Sequence, residues 1–308
     1  MEFQSRPYRG QADTERMSNL LVSMRASGGH SCWHVGDLVW RLFLQSLRHD
    51  LGRTFRLWDD ADGSLAGFAV WTPSRYRPGV ISFELQIHPR LRGRGLEEGM
   101  LDWVEAQCPQ TTAACHLVTD VGVYEDDRGQ IATLERRGFR RTNDEGVLFI
   151  CALDEPVAEP SLPGGFVVRS VAGEQEAGAR AAAHRDAFDS TRVTDEAYLR
   201  LMRTPGYDRD LDMVAVAPDG TMAAFCLGWL DPGNRVGEFE PVGTRPAFRR
   251  QGLGQAAVLA GLWRMQARGA KSVVVGPVDA SEEAAMRLYQ SAGFRPICRV
   301  YGYARDVV

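Results

Sequence analysis

The residues best suited to chemistry lie in the second half of the chain, in the stretch VGEFEPVGTRPAFRRQGLGQA that begins at Val236. Its turn joins two cations to two glycines directly before a helical pattern, and comprises Arg249, Arg250, Gln251, Gly252, Leu253, Gly254 and Gln255. Backbone N–H groups at a helix N-terminus lack intrahelical partners and carry the positive end of the helix dipole. Because glycine has no Cβ, a bulky diphosphate can approach the backbone closely. The turn therefore predicts an anion site.

Two carboxylates precede this turn. Glu238 and Glu240 stand at i and i+2 of an apolar-alternating segment, so a strand carries both on one face. Like charges at that spacing raise the pKa of one of them, which suits a base that works near neutral pH. The same pair suits recognition of a cationic group, and the sequence leaves both roles open.

A strand over residues 236–244 and a helix from Gln255 must hold these groups on either side of the turn. Pro241 lies inside the strand, where a proline marks a bulge or an edge. Each half of the chain is predicted to contain helices near its start, a hairpin, a further strand and helix, and two closing strands. The turn matches neither the Walker pattern nor the dinucleotide G-x-G-x-x-G pattern.

The composition is that of an ordinary globular protein and excludes several classes of partner. The chain has 308 residues, of which 44% are hydrophobic and 25% charged, and this length predicts about two domains. A formal charge of −4 gives no bulk attraction to nucleic acid. No apolar run approaches the ~18 residues of a membrane helix, and the N-terminus has no secretory apolar core. We therefore expect a cytoplasmic protein that contacts neither membranes nor nucleic acid, with its six scattered cysteines reduced.

One loop contains alternating potential metal ligands, namely His30, Cys32 and His34. They lack the spacing of a structural zinc site, and no fourth ligand lies nearby in the sequence. No metal is predicted.

Residues 154–165, DEPVAEPSLPGG, are rich in proline and glycine and predict a linker between residues 1–153 and residues 166–308. The two segments repeat the same order of elements, and the stretch from Pro89 to Gly95 has the same length as the stretch from Pro246 to Gly252. We interpret the chain as a duplicated domain.

Three segments of the second half resemble the GNAT N-acetyltransferase superfamily. Residues 249–254 match its R/Q-x-x-G-x-G/A signature, Thr244-Arg245-Pro246 precedes the turn as in the family, and residues 285–294 are similar to the family's fourth helix and the turn after it. The resemblance implies an α/β fold of two tandem GNAT domains, each a mixed, mostly antiparallel sheet flanked by helices. It also implies an acetyl-CoA-dependent N-acetyltransferase, in which a primary amine attacks directly in a ternary complex. Two domains with one degenerate half resemble the mycothiol synthase-like members of the family.

The resemblance also implies roles for individual residues. In the family, the strand before the turn and the next strand splay apart, and the pantetheine arm of acetyl-CoA adds to the exposed strand edge, here Val242, Gly243 and Thr244. The N–H of Val242 then donates to the acetyl carbonyl. Tyr289 stands at the general-acid position, where a phenol protonates the leaving thiolate. Glu238 stands where some members carry the base.

The first copy lacks these groups. Glu97 takes the position of Gly254, and a carboxylate there repels a diphosphate. Leu134 aligns with Tyr289, and Ile81 with Glu238. We predict that residues 1–153 are not catalytic; a second working site with altered geometry is the alternative.

The acceptor pocket is expected between the helices of residues 184–204 and the hairpin arm that contains Trp229 and Asp231. Together with Glu240, Asp231 makes this pocket acidic, so we expect a small-molecule amine as the acceptor. Two other functions stay open: a non-catalytic acyl-CoA-binding or regulatory protein, and a peptide or protein N-acetyltransferase. The sequence predicts no oligomeric state.

Overall fold

The computed structural model describes residues 3–28, 32–74, 77–108 and 115–307. His30 lies outside these residues. The described chain forms one mixed sheet with helices packed against it. Its strands are β1 (Gln4–Pro7), β2 (Phe55–Asp59), β3 (Leu65–Pro73), β4 (Val80–Ile87), β5 (Cys115–Thr119), β6 (Val123–Tyr124), β7 (Arg140–Ala152), β8 (Val167–Ser170), β9 (Asp212–Val216), β10 (Met222–Asp231), β11 (Val236–Thr244), β12 (Ser272–Asp279) and β13 (Arg295–Val307).

Helices cover the sheet on both faces, because alternate residues of a strand point to opposite sides. Leu227 and Trp229 of β10 pack with residues of α6 and α7, whereas Cys226 packs with residues of α8. The helices are α1 (Gln11–Ala26), α2 (Val35–Ser46), α3 (Leu51–Thr54), α4 (Leu96–Glu105), α5 (Arg128–Arg136), α6 (Ala177–Ala187), α7 (Asp195–Met202), α8 (Leu253–Ala267) and α9 (Glu283–Ser291).

The closing strand of each half lies beside the sheet of the other half. Across the sheet the order is β1-β2-β3-β4-β5-β13-β7-β12-β11-β10-β9-β8, with β6 paired to β13. Strand β13 therefore separates β5 from β7, and β7 separates β13 from β12. Only β4–β5 and β11–β12 are parallel among the described strand pairs. Residues 153–166 carry no helix or strand, and a division of the chain there stays a prediction.

The prediction of two closing strands in each half is wrong. Strands β7 and β13 each run for 13 residues without a break. Their mutual pairing shifts register between Tyr301 and Tyr303, so an irregularity inside the ladder replaces the turn that the sequence pattern indicated.

A disulfide joins Cys108, just after α4, to Cys115 at the start of β5. The expectation that all cysteines are reduced is therefore wrong for this pair; Cys32, Cys151, Cys226 and Cys298 are free and buried. Within the described ranges, no helix combines the length and the apolar character needed to cross a membrane.

Helix α2 of the N-terminal half packs directly on β10 and β11 of the C-terminal half. It begins with a capping box, in which the His34 N–H donates to Asp37 Oδ2 (2.8 Å) and the Gly36 N–H donates to His34 Nδ1 (3.1 Å). A Cβ on Gly36 would stand 2.5 Å from both Glu238 Oε2 and Trp229 Cδ1. Glycine is therefore needed for this contact between the halves.

Candidate functional site

Strands β11 and β12 begin side by side and then separate. Their parallel pairing covers three residue pairs, of which Glu238 with Val274 is the last, while β11 continues to Thr244. On its other side β11 stays paired with β10 as far as Thr244. The edge of β11 that contains Val242 therefore faces an open cleft, where an extended ligand can add as a strand.

The glycine turn lies at the end of this cleft and starts α8. Gly252 caps the helix in the left-handed region (φ +79°), and its carbonyl accepts the Ala256 N–H at 2.9 Å. Arg250 is also left-handed (φ +62°), so the N–H groups of the turn and of the first helical residues converge on one side. This arrangement suits a diphosphate.

Side chains of the turn hold it against neighbouring elements. Arg249 donates to the carbonyls of Thr244 (3.2 Å) and Ala187 (3.1 Å), so it ties the turn to β11 and α6. Gln255 Nε2 donates to the Ser291 carbonyl (2.9 Å), which links α8 to α9. Both side chains therefore shape the site through backbone contacts within the protein.

The N-terminal half has the same turn, but its own carboxylate fills it. Gly93 (φ +70°) and Gly95 (φ +87°) repeat the left-handed conformations of Arg250 and Gly252. The buried Glu97 folds back so that its Oε1 accepts the Gly93 N–H at 2.7 Å. Glu97 thus supplies its own carboxylate to an amide of this turn.

The residue of β4 that corresponds to Glu238 is Ser82, so the sequence alignment of Glu238 with Ile81 is wrong. Glu238 pairs with Trp229, and in the first half Ser82 pairs with Thr72 at the matching place in the hairpin. A register shift in the β10–β11 ladder gives β11 one extra residue beside Pro241, whereas the β3–β4 ladder has no such shift.

Glu238 is buried and holds a proton tightly. Its Oε2 lies 3.2 Å from His34 Nδ1, a nitrogen that already accepts the Gly36 N–H. Burial lowers the pKa of His34 to about 4, so the ring is neutral, and its Nε2 donates to the Val236 carbonyl (3.1 Å). Burial, together with the charge of Glu240, raises the pKa of Glu238 to about 8.

Glu240 is the more accessible carboxylate of the pair. Its side chain is half-buried, and its backbone carbonyl accepts the Trp229 Nε1–H at 2.6 Å. Burial first, and then the nearby Asp37, raise the pKa of Glu240 to about 7, while Arg41 opposes this rise. The expectation that like charges raise a carboxyl pKa here has the right direction, but burial is the larger cause.

Tyr289 of α9 belongs to the hydrophobic core cluster that also contains Phe239 of β11. Its ring packs against Phe149 and Phe294, and only 7% of the residue is exposed. Burial raises its pKa, and Cys226 and then the carboxylate of Glu240 add to this effect. The phenol is therefore protonated at working pH and able to donate.

The structure gives two of the expected substrate residues a local role. Both oxygens of the buried Asp231 accept hydrogen bonds from Asn234, at 3.1 Å from its N–H and 2.6 Å from Nδ2, and thereby close the β10–β11 turn. Trp229 is 2% exposed, and its Nε1–H donates to the backbone carbonyl of Glu240. Their contact with a substrate stays a prediction.

Sequence reasoning missed the contribution of α2 to this site. Asp37 and Arg41 act electrostatically on Glu240, and His34 contacts Glu238, although all three belong to the N-terminal half. The sequence contained one indication of this helix, because His34 and Asp37 have the spacing of a helix cap. Across the described ranges, no group of three or more His, Cys, Asp or Glu side chains is arranged to hold a metal.

Comparison with known proteins identifies the family. The acetyltransferase (GNAT) family model matches residues 181–294. The mycothiol acetyltransferase of Thermobispora bispora is 30% identical over 266 residues, which cover 79% of this chain and 80% of that protein. The chain belongs to the GNAT acetyltransferase family. The mycothiol acetyltransferase of Nocardiopsis dassonvillei is also 30% identical, with 76% of each chain covered.

Solved structures have the same fold as this protein over 99% of its chain. A tandem GNAT protein from the clavulanic acid biosynthesis pathway, solved without AcCoA, matches with a TM-score of 0.68 and 17% identity, over 99% of this chain and 98% of that one. A GCN5-related N-acetyltransferase from Sphaerobacter thermophilus matches with a TM-score of 0.65 and 24% identity, over 99% and 95%. The protein is thus a tandem GNAT acetyltransferase, a family that uses acyl-CoA.

Proposed function

We propose that the C-terminal half transfers an acetyl group from acetyl-CoA to a primary amine of a small molecule, by direct attack in a ternary complex. The observation that carries this proposal is the contrast between the two glycine turns. Gly254 brings no carboxylate to the C-terminal turn, whereas the Glu97 carboxylate accepts the Gly93 N–H in the N-terminal one. The N-terminal half is then a non-catalytic partner.

Different residues along the cleft have different roles in the reaction. The turn amides and helix dipole of α8 bind the diphosphate of acetyl-CoA, which supplies the activated acetyl thioester. The edge of β11 binds the pantetheine arm, with the Val242 N–H directed at the acetyl carbonyl. Glu238 accepts the proton of the amine in its ionised form, which is a minor fraction near neutral pH, and its pKa of about 8 makes that carboxylate a stronger base than an ordinary glutamate. Tyr289 donates a proton to the leaving thiolate.

Two features support a small acceptor rather than a protein. Helix α2 lies across β11 at Gly36, so the acceptor side of the cleft is covered by the N-terminal half. The relatives at 30% identity are named mycothiol acetyltransferases. The half-buried Glu240 then receives the ammonium group of the acceptor before its proton is removed.

A screen of amines tests this function. Purified protein is incubated with acetyl-CoA and a panel that contains the unacetylated form of mycothiol, simple amino sugars, diamines and a lysine peptide, and the free CoA that is released is separated by chromatography and quantified. We expect turnover with a small amine that E238Q and Y289F abolish. Binding of acetyl-CoA with no turnover on any amine would favour the regulatory alternative, and preference for the peptide would favour the protein-modifying one.

A further inference from the structure

The ring of His34 connects the two halves of the protein beside the candidate base. The residue is 1% exposed and directly precedes α2 of the N-terminal half. Both of its ring nitrogens contact β11 of the C-terminal half: Nε2 lies 3.1 Å from the Val236 carbonyl oxygen, and Nδ1 lies 3.2 Å from Glu238 Oε2. One side chain of the N-terminal half therefore touches both Glu238 and the backbone of the strand that carries it.

Two backbone groups fix the tautomer of this ring. A carbonyl oxygen only accepts, so the contact with Val236 requires the hydrogen on Nε2. The Gly36 N–H only donates, so its bond to Nδ1 (3.1 Å) requires an unprotonated Nδ1. A proton on Nδ1 would break this bond and with it half of the capping box of α2. His34 therefore presents a fixed acceptor, and no charge, to Glu238.

Glu238 Oε2 meets this acceptor without receiving a hydrogen bond. The oxygen is enclosed by protein, and in the described part of the chain no donor group satisfies it. An ionised oxygen in this place would be desolvated, and its lone pairs would face the lone pair of His34 Nδ1. A proton on Oε2 removes both costs, because the resulting O–H can donate to Nδ1. The geometry therefore favours the protonated carboxyl.

We propose that His34 is a positioning residue for Glu238, in which Nδ1 accepts the O–H of the protonated carboxyl and so makes Glu238 a stronger base toward the acceptor amine. This inference rests on the proposed function. The protonated carboxyl is the form that Glu238 reaches once it has taken the proton of the amine, and it is the form that His34 stabilises. The degenerate N-terminal half thus sets the strength of the base in the other half.

Other groups packed around Glu238 also influence its proton and stay in place when His34 is replaced. Burial is the largest influence and raises the pKa of this carboxyl. Charged or titratable groups on three elements act beside burial, namely Asp37 of α2 and Arg25 of α1, which lower the pKa, and Glu240 of β11, which raises it. The ladder partners of Glu238 on β10 and β12 are Trp229 and Val274, which do not titrate.

Two substitutions separate the acceptor atom from the rest of the ring. H34N places Oδ1 where Nδ1 stands, so that it keeps both the acceptor for Glu238 and the cap for the Gly36 N–H. H34L has nearly the same size and shape as H34N but has no acceptor. Both variants lose the contact of Nε2 with the Val236 carbonyl, so the effect of that loss is common to the two.

The test is the pH dependence of kcat/KM for the amine, which reports ionisation of the free enzyme. We expect the acid limb to have its midpoint near pH 8 in the wild type and to stay close to it in H34N. In H34L the midpoint falls by about one pH unit, as the loss of one hydrogen bond to the protonated form requires.

This shift makes the two profiles cross. At low pH more of Glu238 is ionised in H34L, so it is about two to three times faster than H34N at pH 6.5. At pH 9 the carboxyl is ionised in both variants, and the weaker base of H34L makes it about three times slower. The ionisation of the amine itself cancels, because the same amine is compared at the same pH.

A helix cap alone would not produce this crossing. If H34L is slower than H34N by the same factor at every pH, His34 acts only on the fold of α2. If the two profiles coincide, the acceptor atom has no role. Either result overturns the proposal.

Failure of the proposed function is distinguishable from failure of this inference. If the wild type acetylates no amine, the ionisation of Glu238 is followed by carboxyl 13C NMR in the wild type, H34N and H34L, with E238Q for assignment. A lower midpoint in H34L than in H34N supports the role of His34 without any turnover, and equal midpoints refute it. Should H34L fail to fold, 15N NMR of the wild-type ring decides: we expect a protonated Nε2 and an unprotonated Nδ1 from pH 6 to pH 9, and a protonated Nδ1 refutes the proposal.

Discussion

Gly254→Glu copies into the C-terminal turn the residue that fills the N-terminal one. The backbones of the two turns match, with φ +79° at Gly252 against +87° at Gly95, and +62° at Arg250 against +70° at Gly93. A glutamate at position 254 is therefore expected to reach the Arg250 N–H as Glu97 reaches that of Gly93. The variant turn then binds its own carboxylate in place of the diphosphate.

The expected loss of acetyl-CoA affinity follows from charge and geometry. Two unit charges ~4 Å apart repel by about 4 kcal/mol at an effective dielectric constant of ~20. Solvent at the open side of the turn reduces this to about 3 kcal/mol, which corresponds to a rise in Kd of at least about 100-fold. A smaller steric cost is added, because a Cβ at position 254 stands 2.8 Å from Thr244 Oγ1.

Calorimetric titration of acetyl-CoA measures this effect. We expect one site per chain in the wild type and no measurable site in G254E. G254A carries the steric cost alone, and G254Q carries the shape without the charge, so both should lose about tenfold or less. If G254E binds as tightly as G254Q, repulsion is not the reason that the N-terminal turn is closed. Two sites in the wild type would contradict the assignment of one working half.

Three further predictions concern residues around the cleft. Tyr289→Phe lowers kcat by about 100-fold or more, as loss of a general acid requires, with little change in the KM for acetyl-CoA; steady-state kinetics measure both, and unchanged turnover removes Tyr289 from the mechanism. Glu238→Gln lowers kcat and, at high pH, stabilises the fold: the folded pKa of about 8 lies above the ordinary 4.5, so this carboxyl costs stability as pH rises from 4.5 to 8. Its Tm should exceed that of the wild type by about 2–5 °C at pH 9 and match it near pH 4, and an equal difference at both pH values contradicts this sign. Gly36→Ala forces α2 away from Trp229 and lowers the free energy of unfolding, measured in urea, by about 1–3 kcal/mol. Gly164→Ala is the neutral control, because a Cβ there meets nothing within 4 Å. Equal effects of the two substitutions would show that α2 packs loosely.

The local parts of the site could be predicted from the sequence because their signals are local. A proline-led turn with glycine before a helix pattern indicates its backbone conformation directly, and the structure has Gly252 in the left-handed region. Pro241 likewise indicated an irregular strand, and the β10–β11 ladder shifts register beside it. The same irregularity made the alignment of the two halves wrong by one position. Counting residues along the chain cannot detect that one strand contains one extra residue.

The long-range parts could not be predicted. The pattern of α2 is that of an ordinary amphipathic helix, and nothing within residues 35–46 indicates that Asp37 and Arg41 influence the pKa of Glu240. Nor does the sequence indicate that Glu97 turns back into its own loop; repulsion of an anion was predictable, but the hydrogen bond to Gly93 depends on the rotamer that burial selects. Packing between distant segments decides the first feature, and burial of the Glu97 side chain decides the second.

The placement of β13 between β5 and β7 has a consequence for the order in which the strands can pair during synthesis. Strand β5 has its neighbour in β13, which leaves the ribosome more than half a chain length later. During synthesis one edge of β5 in the N-terminal half therefore stays unpaired. Strand β7 also lacks its partners until β12 and β13 have been synthesised. Native pairing of both halves is therefore completed only when β13 is available, and until then the edges of β5 and β7 are open to pairing with other chains.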